Sequence, residues 1–274
     1  MNAILAIAKK EILDGIRNRW IVATTLLLAA LALTLTFLGS APTGTVGASP
    51  LAVTLVSLSS LSILLLPLIA LLLSYDAICG EFERGTMLLL LSYPVSRSNL
   101  ILGKFFGHLS ILGFATVIGY GSAAIALGAT GADISGWQSF LSMIGSSVLL
   151  GSAFLALGYL VSAAVADRGA AGGLAIGIWL LFVLIYDMAL LGLLVVDQGK
   201  VITAPVLNAL LLFNPADAYR VLNLTGIGGV SQFTGMAGVS QDAALPAAAL
   251  LLALLLWTLV PLALTTFVLR RRQV

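Results

Sequence analysis

Between Leu51 and Ser74 the chain reads LAVTLVSLSSLSILLLPLIALLLS, and the next ten residues, Tyr75 to Arg84, read YDAICGEFER. The first stretch holds 24 residues without a charge. As a helix it would be about 36 Å long at 1.5 Å per residue, enough to cross the ~30 Å hydrocarbon core of a bilayer. It is apolar nearly all round and lacks the alternation of a barrel strand. The second stretch places Asp76, Glu81, Glu83 and Arg84 within ten residues. The two together read as a membrane helix that empties into a charged segment.

The whole chain has the same character. Of 274 residues 60% are hydrophobic and 9% charged, and the mean hydropathy is +1.13. A water-soluble domain carries roughly 25% charged residues, so a soluble monomer is excluded. Five further stretches match the first: Trp20–Leu38, Leu109–Leu127, Phe140–Val165, Gly172–Val196 and Pro246–Leu269. The expected fold is an all-α integral membrane protein, one transmembrane domain over residues 1–274 with six spans. The basic amino end followed by an apolar run resembles a secretory signal, but about 19 apolar residues exceed the 7–15 of a signal core. A retained helix is expected.

Charge orients the bundle. Eleven of the thirteen Lys and Arg residues flank the spans on one side, and only Lys200 and Arg220 lie on the other. The positive-inside rule then puts both termini and the 75–104 loop in the cytoplasm. That side carries a net +5 and the remainder −3, an asymmetry hidden by the overall charge of +2.

Three segments outside the spans carry information. Residues 3–19 place Leu5, Ala8, Ile12 and Ile16 on one helical face and Lys10, Asp14 and Arg17 on another, the pattern of an interfacial helix; a plain charged flank is the alternative. In the 75–104 loop, Thr86 to Leu91 can form a short helix that Pro94 ends, and Ser96 can cap a helix running through Lys104 into the third span. The loop reads either as a solvated turn or as a docking surface for a partner protein. Residues 197–245, on the outer side, are too long for a simple connection. Val206–Phe213 is too short to span and either lies on the membrane or folds back into the bundle, Asn214-Pro215 breaks it, and Gly226, Gly228, Gly229, Gly235 and Gly238 loosen the stretch beyond the break. A partner-binding loop and a plain flexible loop both fit.

The chain has no phosphate-cradling G-x-x-x-x-G-K-[S/T] loop, no H-E-x-x-H pair and no G-x-S-x-G elbow. It is therefore not expected to be an enzyme, and with one Cys, one His and five Met no metal site is expected. Asp187 stands inside the fifth span, roughly 14 Å from its outer end. It reads either as a proton-relay or substrate group or as a hydrogen-bonded structural residue, with no base inside any span to pair it. Gly173-x-x-x-Gly177, Ser147-x-x-x-Gly151 and Gly119-x-x-x-Ala123 allow close helix approach. Packing within the chain is the plain reading, and a dimer contact through Gly173 and Gly177 the second.

Glu81, Glu83, Arg84, Gly85 and Thr86, a Leu-rich turn, Pro94-Val95-Ser96-Arg97 and Gly103-Lys104 resemble the cytoplasmic signature of type-2 ABC permeases, with Phe82 standing where many members have a second charge. Further matches are Tyr75-Asp76-Ala77-Ile78, Phe213-Asn214-Pro215 and Asp217-Ala218-Tyr219-Arg220. They are similar to the branch of that family serving maturation of the copper centre of nitrous oxide reductase. The resemblance implies a homodimeric permease in the bacterial inner membrane. Its partner would be a separate cytoplasmic ABC ATPase that binds ATP and Mg, and this chain would hold no cofactor. Glu81, Glu83, Arg84, Gly85, Thr86, Pro94 and Arg97 would couple to that ATPase. Asn214, Pro215, Asp217, Tyr219 and Arg220 would contact a periplasmic protein. Mechanical transmission is the expected mode. The alternatives are direct export of a sulfur-containing or other small species, or secondary transport using Asp187.

Overall fold

A computed structural model describes residues 3–17, 19–39, 50–93, 95–129, 137–197, 202–224 and 245–272. All regular structure among them is helical. Helix α1 (Ala3–Arg17) is followed by α2 (Arg19–Gly39), α3 (Pro50–Ser74), α4 (Cys79–Glu83), α5 (Thr86–Ser92), α6 (Arg97–Ala129) and α7 (Trp137–Ala164). Then α8 (Arg168–Leu180) runs through a π-helical turn, Leu181–Ile185, into α9 (Tyr186–Asp197). Two short helices, α10 (Ala204–Leu212) and α11 (Pro215–Leu224), precede α12 (Ala247–Arg271).

Five segments are long and apolar enough to cross a membrane, six when α1 and the helix after it, bent by 72°, are taken together. Five to six candidate spans are thus present where six were expected. Helix α7 is the hub: 67% of its most apolar stretch is buried, against 11% for the α8–α9 span. It packs on α3, α6 and α12, while α2 lies on α6. Small residues set these contacts. A side chain at Gly151 would meet Leu112 on α6, one at Gly158 would meet Ser74 on α3, and Gly119 lies against Leu28 on α2. Ser147-x-x-x-Gly151 and Gly119-x-x-x-Ala123 therefore pack within the chain. No heavy atom lies within 4 Å of a Cβ built at Gly173 or Gly177. Tyr120, Tyr159, Tyr219 and Phe154 are the largest fully buried side chains.

On α1, Leu5 and Ile16 of the apolar face are exposed, while Ala8 of that face turns inward with Glu11 and Gly15. The segment after α9 takes the second of the two courses open to Val206–Phe213, into the bundle. Helices α10 and α11 fold back into it, and α11 packs on α3, α7 and α12. The glycine-rich stretch from Gly226 to Gly238 lies outside the described residues.

Candidate functional site: a buried ion cluster beneath a helical hairpin

The chain leaves α3 through a turn and forms a hairpin of two short helices. Ser162 of α7 anchors its start, accepting hydrogen bonds from the backbone N–H of Ile78 (2.9 Å) and Cys79 (3.1 Å). Gly85 joins α4 to α5 with a φ of +70°, a left-handed conformation that favours glycine. Ser96 then accepts from the Asn99 N–H at 3.1 Å and caps α6 as expected.

Under the hairpin, Lys104 of α6 donates to Glu11 Oε1 of α1 at 2.9 Å and to Glu81 Oε1 of α4 at 3.0 Å. Arg84 approaches Glu81 at 3.6 Å, and Lys10 and His108 approach Glu11 at 3.5 Å. The Tyr159 hydroxyl of α7 hydrogen-bonds His108 Nδ1 at 2.8 Å. Thr86 closes the hairpin by donating its hydroxyl to the Glu81 carboxylate. Lys104, Glu11 and Glu81 keep only 5–10% of their side-chain surface. Charges that deep persist because each meets an opposite charge and further donors. Burial alone would raise the Glu11 carboxyl, but the His108 hydrogen bond and the Lys104 ammonium outweigh it and hold the group well below the usual carboxylate range. A cleft of about 490 Å³, lined by Lys10, Asp14, Asp76 and Arg84 among others, opens beside the cluster.

Close helix approach brings these groups together. A Cβ on Gly103 would stand 2.7 Å from Ile7 Cβ, and one on Gly107 2.6 Å from Glu11 Cβ. Helix α1 thus lies directly on α6 across two glycines one turn apart. Glu11, Lys104 and His108 are absent from the site read in the sequence. The available signal was the pairing of Gly103 and Gly107 with Lys104 and His108, each four residues apart on adjoining faces of one helix.

The remaining residues of the 75–104 set divide. Glu81 is buried and joins the hairpin to α1 and α6. Glu83 pairs with Arg168 at the start of α8, accepting from the Arg168 N–H at 2.7 Å with Nε at 3.1 Å. Arg97 caps α12 by donating to the carbonyls of Leu269 (2.5 Å) and Arg270 (3.0 Å). Arg84 is half exposed. Pro94 lies outside the described residues. The hairpin's outward face is apolar: Leu88, Leu89 and Tyr93 are each more than 60% exposed.

A second ion cluster lies toward the far end of the bundle. Arg220 of α11 donates to Asp187 of α9 (2.5 Å) and Asp217 (2.6 Å). Asn214 donates to Asp217 (2.9 Å) and to the Phe182 carbonyl in the π-helical turn (2.8 Å). Asp187 therefore has a basic partner, brought by the fold-back of α11. Of the expected partner-contact group, Asn214, Pro215, Asp217 and Tyr219 are buried in the bundle and Arg220 is half-buried. The physical reason is the apolar, alanine-rich face of α11, with Ala216, Ala218 and Val221 fully covered. Among the described residues no group of three or more His, Cys, Asp or Glu is arranged to hold a metal ion.

A family model described as ABC-2 family transporter protein matches residues 5–274. The chain is 46% identical over 276 residues to the "Probable ABC transporter permease protein NosY" of Stutzerimonas stutzeri, covering 99% of both chains. It is also 46% identical over 277 residues to the protein of the same description in Pseudomonas aeruginosa, covering all of both.

Proposed function

The chain belongs to the ABC-2 family of transporter proteins, as a multi-pass membrane permease, and from that premise we propose that the α4–α5 hairpin is the element through which a separate ATPase drives the bundle. The observation that carries this reading is the cluster of Lys104, Glu11 and Glu81 beneath an outward apolar face of Leu88, Leu89 and Tyr93. An exposed apolar patch in a charged segment suits a protein partner. The charges behind it tie the hairpin to α1 and α6, so a push on the hairpin reaches two other helices. Such transmission needs a packed element with two arrangements rather than a conducting path.

The charged end is cytoplasmic in this reading, by the positive-inside rule, and the membrane is the bacterial inner membrane. The ATPase is a NosF-like subunit that binds ATP and Mg; this chain supplies no cofactor. Two copies form a homodimer through the uncovered α8 face around Gly173 and Gly177. A NosD-like periplasmic protein engages the opposite side, and the assembly serves maturation of the copper centre of nitrous oxide reductase by mechanical transmission. The paired state of Asp187 supports a structural role for it over proton relay. The test is co-purification of the tagged permease with its co-expressed ATPase. Leu88→Asp/Leu89→Asp should fold normally and lose more than tenfold of the bound ATPase. A wild-type chain that retains no ATPase would refute the reading.

A further inference from the structure

Helix α12 carries a stripe of side chains from Leu256 through Val260 and Leu264 to Phe267 and Arg271, spaced three or four residues apart and so on one face. The three aliphatic residues and Pro261 line an apolar groove of about 540 Å³, with Leu157 and Leu160 of α7 as its other wall. Leu212 and Phe213, at the turn from α10 into α11, bound it at the level of Trp257, whose indole N–H donates to the Leu212 carbonyl at 3.2 Å. Trp257 and Phe267 stand ten residues apart on the helix, which is about 15 Å of rise. That is half of the ~30 Å hydrocarbon core, so the groove between them has the depth of one leaflet.

Four arginines gather at the charged end of this stripe. Two are engaged with helix ends. Arg97 caps α12, as described above. Arg272 turns inward, donating to the carbonyls of Ala163 (3.2 Å) and Val165 (2.8 Å) at the end of α7 and lying over the Phe82 ring. Arg270 and Arg271 are exposed. Arg271 folds back along the stripe, its guanidinium carbon 4.2 Å from the centre of the half-exposed Phe267 ring, a contact in which an aromatic face holds a cation. The charge is thereby kept at the membrane edge, over the mouth of the groove, as long basic side chains at a helix end allow.

We propose that this face of α12 binds an anionic phospholipid from the leaflet on the charged side, its phosphodiester on Arg270 and Arg271 and one acyl chain in the groove down to Phe213. A guanidinium presents paired N–H donors to phosphate oxygens. A zwitterionic headgroup would bring its own ammonium beside two like charges, so the face selects phosphatidylglycerol over phosphatidylcholine. A second copy of the chain fits less well: a two-fold axis along the membrane normal would set Arg270 and Arg271 opposite their own counterparts. The site stands apart from the ATPase reading and requires only that α12 cross the bilayer.

The test uses the full-length permease in lipid nanodiscs, without an ATPase, carrying Trp20→Phe, Trp137→Phe and Trp179→Phe so that Trp257 is the single indole. Lipids brominated near the ends of their acyl chains quench an indole they touch. Quenching by brominated phosphatidylglycerol should show at least a threefold preference over brominated phosphatidylcholine at equal mole fraction. Arg270→Gln with Arg271→Gln should abolish the preference. Lys9→Gln with Arg17→Gln, the same loss of charge at exposed positions of α1, should leave it intact. Native mass spectrometry of the chain with all its tryptophans, purified from an equal mixture of the two lipids, gives an independent readout should the tryptophan variants fold poorly. It should find at least threefold more phosphatidylglycerol retained, and the excess should vanish with the same arginine pair. Equal quenching or equal retention of the two lipids, a preference that survives loss of the arginines, or one lost equally with Lys9 and Arg17 would overturn the proposal. So would an absence of quenching by either lipid, the result expected of a groove covered by a second copy.

Discussion

Lys104 is one ammonium between two buried carboxylates, so its removal has a sharper consequence than the loss of two hydrogen bonds. Lys104→Met would leave Glu11 and Glu81 facing each other with little solvent. Breaking a buried ion network in this way typically costs about 3–5 kcal/mol. The variant should lose thermal stability in detergent, and adding Glu11→Gln and Glu81→Gln should restore much of it. Acid should act on the same group. The folded pKa of Glu11 lies below its ordinary value near 4.5, so its contribution is complete above that pH and is lost as pH falls toward the folded value. The thermal midpoint of the native chain should therefore drop as pH falls below about 4.5, and Glu11→Gln should flatten that drop. Sequence alone did not bring the two acids together. Glu11 reads as one more charge on an amphipathic helix, and only the glycine contacts at 103 and 107 show that its side is the packed one.

At the scale of the element, the hairpin was legible where local rules act and illegible where tertiary contacts decide. Its short second helix, from Thr86, and the Ser96 cap follow from turn chemistry. Which of its charges face outward depends on where α1, α6 and α8 lie, and no local pattern contains that. Gly85→Ala should cost about 1–2 kcal/mol, because the left-handed φ of +70° penalises any Cβ. Glu83 and Arg168 are over a third exposed, so their pair contributes little stability. Reversing Glu83 alone should weaken ATPase stimulation more than it weakens folding, and the reciprocal double variant, Glu83→Arg with Arg168→Glu, should recover it. Helix α11 was hidden for the same reason. A segment with charge, proline and asparagine reads as a loop. Buried alanines and the Arg220–Asp187 pair draw it into the bundle instead.

For the whole molecule, composition settled the class and the spans, because a chain with 9% charge has nothing with which to face water. The same scarcity makes the location of charge informative. One cluster lies beneath the hairpin and the other at the fold-back of α11, each joining separate helices. The α8–α9 span is the least covered of the five long apolar spans, and its open glycines make Gly173→Cys a direct probe of assembly in a Cys79→Ser chain. A disulfide-linked pair should form in membranes, whereas Leu252→Cys on the exposed face of α12 should link far less. The central claim is that the hairpin's outer face meets a separate ATPase. A photocrosslinking amino acid at Leu88 tests it in cells co-expressing that ATPase, with Met188, exposed on α9, as the control position. The account predicts a strong permease–ATPase adduct from position 88 and none from position 188. No adduct from 88, or equal adducts from both, would contradict it.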